Sequence, residues 1–148
     1  MTKQVATIGF AGKGAERFIQ LLKGAGIQTV VDTRRRPDSP LAAYARKRDL
    51  PYLLSGLAGI GYEHHPELAP SDELLDRYRK DKNWDSYVHD FEDVLRSQAA
   101  VTAMDELLSR DDCVALLCSE ATPDKCHRRL VVERMKEVHP DLVITHLT

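Results

Sequence analysis

Apolar residues along the chain recur at two periods. Short runs at Val5–Phe10, Gln28–Asp32, Gly61–His65, Val114–Cys118 and Leu142–His146 carry the composition of strands. Between them the spacing is helical. Phe18, Leu21, Leu22 and Ala25 stand at i, i+3, i+4 and i+7, and Gly24 and Gly26 end that helix. Tyr44–Leu54 reads as helical, with Pro51 either interrupting it or marking a new start. Ser71 caps a polar helix running to about Lys80. One long helix is expected from near Trp84 to Arg110, with Tyr87, Phe91, Val94, Val101, Met104 and Leu108 along one side. A last helix reaches Val138 with Val131, Met135 and Val138 facing the core. Thr33–Pro40 and Pro66–Pro70 read as loops, the first basic and irregular, the second rigid.

A strand, a helix and a strand within roughly 30 residues form a right-handed βαβ unit. Repeated alternation predicts one α/β domain over residues 1–148. Its three layers are an open, mainly parallel sheet of the Rossmann-like or flavodoxin-like kind with helices on both faces. Such sheets bind ligands beyond the carboxyl ends of their strands, where the strand order reverses. Three polar clusters leave those ends: Gly12–Gly14, Asp32–Arg36 and Cys118–Arg128. The first lacks the third glycine of a dinucleotide fingerprint and the Gly-Lys-Ser/Thr of a Walker loop, so it reads as an ordinary tight turn.

Composition narrows the classes. With 148 residues, 43% hydrophobic and 30% charged, the chain has the size and balance of one globular domain. A net charge of −2 gives no global sign of nucleic-acid binding. No apolar run approaches the roughly 20 residues of a membrane span, and MTKQVATIGF lacks a signal-peptide layout. Three cysteines, Cys113, Cys118 and Cys126, have no secreted disulfide spacing, which points to a reducing cytoplasm.

Chemistry concentrates in VALLCSEATPDKCHRRL. Cys118 and Glu120 lie two apart, Thr122 and Pro123 read as N-cap and first helical residue, and Cys126 then falls near the positive end of a helix dipole. There a thiol is a plausible nucleophile or ligand. Lys125, Arg128 and Arg129 crowd the same helix start at a cost of roughly 0.3–1 kcal/mol each, which an anion would offset. The competing reading is a solvated basic turn with two small buried cysteines. Asp32 and Arg34 form either an anion clamp or an ion pair that pins a loop. Cys-x7-Cys-His is not zinc-finger spacing, and Arg128 is too close to Cys126 for a Cys-x5-Arg phosphate loop; a Cys118–Cys126 redox pair stands as a lesser alternative, without the Cys-x-x-Cys arrangement.

Leu117-Cys118-x-Glu120 followed by Pro123-x-x-Cys126-His127-Arg128 resembles the signature of the domain-of-unknown-function 488 family. Val31-Asp32-x-Arg34-x-x-Pro37-x-Ser39 resembles its second marked motif and Tyr62-x-His64-x-Pro66-x-Leu68 its third. After the third, Ala69-Pro70 stands where many relatives carry two glycines, so a stiff segment replaces a flexible hinge. The resemblance runs from Thr7 to about Leu147. It implies a single α/β domain whose marked residues meet at one site, and no substrate.

The combined expectation is a cytoplasmic enzyme acting on an anionic, nucleotide-like or phosphate-containing small molecule, with its cofactor unspecified. Arg34 and Arg128 bind the anion, with Tyr62 and Glu67 beside the ligand. Cys126 is the nucleophile or redox-active thiolate. Glu120 and His127, or His64, handle protons, while Asp32 and Cys118 support them. His65 is expected to face solvent. Two alternatives stand beside this reading. One is a nucleic-acid-binding or repair-associated module using Arg34, Arg35, Arg36, Arg46, Lys47 and Arg48. The other is a zinc- or iron-binding protein using Cys118, Cys126 and His127.

Overall fold

The computed structural model describes residues 3–38 and 40–148, with backbone alone at 40–42; Ser39, which ends the second motif, lies outside the described residues. Five strands, β1 (Gln4–Gly9), β2 (Thr29–Asp32), β3 (Gly61–His64), β4 (Val114–Cys118) and β5 (Val143–Leu147), form one sheet in the order β3-β2-β4-β1-β5. Every pairing is parallel. The central strand β4 is buried along its whole length, which is why VALLC is a continuous apolar run and does not alternate.

Alternate residues divide the core in two. Val5, Val31, Val114 and Leu116 pack beneath α3 (Asp72–Asp81), α4 (Trp84–Leu95), α5 (Gln98–Ser109) and α6 (His127–Val138). Ala6, Ile8, Val30, Ala115 and Leu117 pack beneath α1 (Ala15–Gly24) and α2 (Leu50–Ala58). These are the three layers expected from the alternation of elements. None of these helices is long and apolar enough to cross a membrane.

Strand order decides where a site can form. The connections leaving β1 and β2 run toward β3, whereas the one leaving β4 runs toward β5. The loops after the neighbouring strands β2 and β4 therefore diverge and open a crevice between them.

Helix boundaries depart from the sequence expectation where side chains act locally. The long helix is two helices. Ser97 takes an extended conformation and its hydroxyl accepts the N–H of Ala100, so α4 stops at Leu95 and a second helix starts at Gln98. Pro51 marks a new start, inside the first turn of α2, and a short 3₁₀ segment, Pro40–Ala45, precedes it. The last helix starts at His127, not after Thr122 and Pro123, and Cys126 is its N-cap. Arg128 and Arg129 reach back to the carbonyls of Glu120 and Asp124, which holds the intervening segment as a loop. In α1 the buried stripe is Phe18, Ile19 and Leu22, and Ala25 is exposed. Val138 is likewise exposed, because the buried face of α6 consists of Arg128, Val131, Val132 and Met135.

Candidate functional site

The crevice holds a cavity of about 550 Å³. The loop after β2 supplies Arg34, Arg35 and Arg36 to one wall, and β4 with its following loop supplies Cys118, Ser119, Glu120 and Lys125 to the other. Cys126 and His127 enter from the start of α6, and α3 and α4 close the far side with Tyr78 and Tyr87. Six basic side chains (Arg34, Arg35, Arg36, Arg79, Lys82 and Lys125) line it against three acids, Asp72, Asp76 and Glu120. This local excess of positive charge sits on a chain of net charge −2.

Several of these cations are already engaged. Arg35 and Arg36 reach Asp72 at 3.6 and 2.8 Å, and Arg79 reaches Asp76 at 3.4 Å. Lys82 and Lys125 pair with no carboxylate among the described residues. The two tyrosines belong to an aromatic ladder. Trp84 stacks on Tyr87 at 5.0 Å, Tyr87 lies 6.0 Å from Phe91, and Phe91 meets the His127 ring edge-on at 5.8 Å. Burial, then the Tyr78 and Glu120 charges, push the Tyr87 phenol up.

Cys118 and Cys126 are joined through their sulfurs, with Cα atoms 7.7 Å apart. Both are almost fully buried. A Cys118–Cys126 pair is the lesser of the sequence alternatives; the fold brings the end of β4 and the cap of α6 together and sets the two sulfurs against each other. Cys113 is the free cysteine, at the other end of β4.

His127 is fixed from β2. Its Nε2 lies 2.9 Å from the Thr33 carbonyl oxygen and 3.1 Å from Thr33 Oγ1, whose hydroxyl donates to the carbonyl of Leu117. Nε2–H therefore donates to the Thr33 carbonyl, and the lone pair resides on Nδ1. Burial holds the imidazole at about 4, with Arg128 adding to the depression, so the ring is neutral near pH 7.

Asp32 and Arg34 form the loop-pinning ion pair. Asp32 Oδ1 accepts from Arg34 Nε at 2.8 Å and from its backbone N–H, and Oδ2 accepts from Arg34 Nη2 at 2.7 Å and from the Tyr62 hydroxyl at 2.5 Å. Arg34 also donates to the Ala45 carbonyl and lies over the Phe10 ring. Burial and this bond to Asp32 raise the Tyr62 phenol. Arg34 lines the cavity with its charge already matched; Asp32 and Tyr62 stand behind it.

Arg128 is the counterexample. It is completely buried, yet Nη1 donates only to the Glu120 carbonyl at 2.6 Å and to Cys118 Sγ at 3.2 Å, while Nε and Nη2 have no partner. Burial lowers its proton affinity to about 10, partly countered by Glu120. Room for it comes from Gly9: a Cβ there would overlap the Glu120 carbonyl and Arg128 Nη1. Arg128 lies behind Cys118, not in the cavity wall.

The third motif stays outside the cavity. His64 Nε2–H donates to the Arg34 carbonyl at 2.7 Å, and Lys47 lies 3.3 Å from its Nδ1. His65 does not face solvent: it is clamped between Glu63 and Glu67 at 3.0 and 2.7 Å. Burial disfavours its charge, but the two carboxylates outweigh that and raise its proton affinity. The glycine turn packs against Tyr44, whose hydroxyl donates to the Lys13 carbonyl, and contributes nothing to the cavity. Of the three polar clusters, two converge. The α3 and α4 wall had no motif to announce it; its sequence signal was only Arg79 and Lys82 at the end of a polar helix. Along the Arg34–Arg48 strip, Arg34, Arg35, Arg36 and Arg48 each pair with an aspartate. Among the described residues no group of three His, Cys, Asp or Glu side chains converges as a metal site.

The family model for Domain of unknown function DUF488 matches residues 14–135, which spans the β2 loop, the third motif and the Cys118–Arg128 segment and leaves β1 and β5 outside. No curated protein and no solved structure matches the chain.

Proposed function

Because the chain belongs to the DUF488 family, whose description names no reaction, we propose its function from the cavity itself: a cytoplasmic enzyme acting on an anionic, nucleotide-like ligand. The observation that carries this reading is one cavity holding the Cys118–Cys126 pair, His127 and Glu120 between an aromatic wall and a basic rim. Tyr78, the half-buried ring of that wall, accepts a planar base by stacking, worth about 1–3 kcal/mol per base. Lys82 and Lys125, free of carboxylates among the described residues, take the phosphate. Cys126 is the reacting thiol once reduced, at the N-terminus of α6, where the helix dipole favours its thiolate. His127 Nδ1 accepts a proton as an incoming anion offsets the burial that keeps the ring neutral. Glu120 is the second proton carrier.

The test is calorimetric titration of the reduced protein with nucleoside mono-, di- and triphosphates, followed by mass analysis of the nucleotide. Binding should weaken about tenfold or more in Lys125→Ala, the loss of one charge-assisted contact. Cys126→Ser should bind as the parent does and leave the nucleotide unchanged. Absence of binding across the series overturns the reading.

A further inference from the structure

A buried guanidinium without an acid is costly, and a fold retains one when something else carries the opposite charge. Arg128 has no carboxylate within ion-pair distance among the described residues, and two of its nitrogens have no acceptor. Its one side-chain hydrogen bond among the described residues goes to Cys118 Sγ. The chain gives up a side chain at position 9 to let Nη1 lie against that sulfur and the Glu120 carbonyl. Cys126 reaches the same sulfur from the cap of α6.

We propose that, in the reduced protein, Cys118 and Cys126 share a single proton, and that Arg128 is the buried counter-ion of the negative charge they carry. This assigns Arg128 to the cysteine pair and not to the ligand, and makes Cys118 the partner that takes up the Cys126 proton. The inference rests on the cavity being a thiol site, as proposed above, but not on the identity of its ligand. Reduction adds two electrons and two protons across the S–S bond; one proton then leaves to solvent and the other remains between the sulfurs. When the charge settles on Cys126, its S–H bond breaks and the proton passes to Cys118.

The charges around the pair support one anion. From α6 come Arg128 and the neutral His127. Lys13, after β1, feels Arg128, with burial first, and its ammonium is disfavoured. His146 of β5 is likewise held toward its neutral form by burial and then by Arg128, and it bonds to Thr7. On the cavity side stand Lys125 and Glu120, with Tyr87 across from them. Among the described residues Glu120 is the acid whose charge favours the Arg128 cation, and it makes no ion pair with it. An anion on the sulfurs supplies the missing charge through the contact that Nη1 already makes.

Thiolate ultraviolet absorbance against pH, measured without nucleotide on Cys113→Ser protein reduced by a phosphine and then desalted, tests this. In that reduction the phosphine takes the oxygen of a water molecule. One thiolate per chain is expected at pH 7. The second should appear only well above the ordinary cysteine value of about 8.5, because the pair titrates as a unit. In Arg128→Met the first midpoint should rise by at least about one unit, while Arg128→Lys restores most of it. Cys126→Ser, which leaves α6 and Arg128 in place, should keep Cys118 low. Two thiols titrating together near the ordinary value, or a midpoint indifferent to Arg128→Met in folded protein, overturns the inference. A protein that binds no nucleotide and still shows the thiolate retires the ligand reading alone.

Discussion

The two ends of β4 treat arginine in opposite ways. Where the strand begins, Arg110 is held by Asp112 at 2.7 Å, by Glu63 at 2.8 Å and, at 3.8 Å, by Glu106. Those bonds, Asp112 first, raise its proton affinity, and they hold the Asp112 carboxyl down at about 2. Thr29 and Lys3 complete the set. Where the strand ends, Arg128 is more deeply buried and meets a sulfur and a carbonyl, and its proton affinity falls. Arg34, on the neighbouring strand, is nearly as buried as Arg128 and fully matched by Asp32. Burial therefore does not separate Arg34 from Arg128; the supply of acid does. The fold satisfies two of its arginines completely and leaves the third short of charge, and the proposed anion on the cysteine pair is what would match it.

Asp32 is what sets Arg34 apart from Arg128. Asp32→Asn leaves a buried guanidinium without its carboxylate and should cost about 3–5 kcal/mol in urea unfolding. Next comes Gly9→Ala, which sets a methyl group against the Glu120 backbone and Arg128. It should cost about 2–3 kcal/mol and displace the Cys118–Cys126 loop, seen as faster alkylation of the reduced protein. His127 adds a pH dependence. Its folded value of about 4 lies below the unfolded value of 6.5, so between these the unfolded chain binds more protons and stability falls as pH falls. The loss should amount to about 1–3 kcal/mol by pH 4, and it should disappear from the difference between His127→Gln and the parent above pH 6.5. Smallest is the paired replacement of the two ends of β4. Arg110→Met should cost about 1–2 kcal/mol, less at high salt because the arginine is partly exposed. Arg128→Met in the oxidised protein should change stability by less than about 1 kcal/mol, since it removes unpaired N–H groups along with the charge. Equal costs for the two would dissolve the contrast.

Most of the fold was legible because parallel strands buried on both faces cannot avoid being apolar runs, as Val114–Cys118 is. The cysteine-histidine segment was legible because polar, reactive residues stand directly at the end of such a run. What the sequence did not disclose depends on groups distant in the chain. Thr33 fixes the tautomer of His127 from 94 residues away. Gly9 and Arg128 adapt to each other across the width of a strand. Ser97 was hidden for a different reason: a serine inside an amphipathic stretch has the same spacing whether it starts a helix or decorates one, and only its extended backbone reveals the break. Arg34 and Arg128 looked interchangeable as anion binders, and only the location of Asp32 distinguishes them.

The strand order also sets a timetable. β1 and β2 are consecutive in sequence but never touch; each hydrogen-bonds to β4, which is inserted between them. A nascent chain that has emerged as far as α5 holds two separate strand groups with no shared ladder, and the sheet closes only when residues 114–118 arrive. The cysteines, His127 and Arg128 come off the ribosome with or directly behind that strand. The cysteine pair is therefore assembled by the step that joins the two strand groups, with only β5 left to add beside β1, so the two sulfurs meet only in a molecule whose central strand is in place.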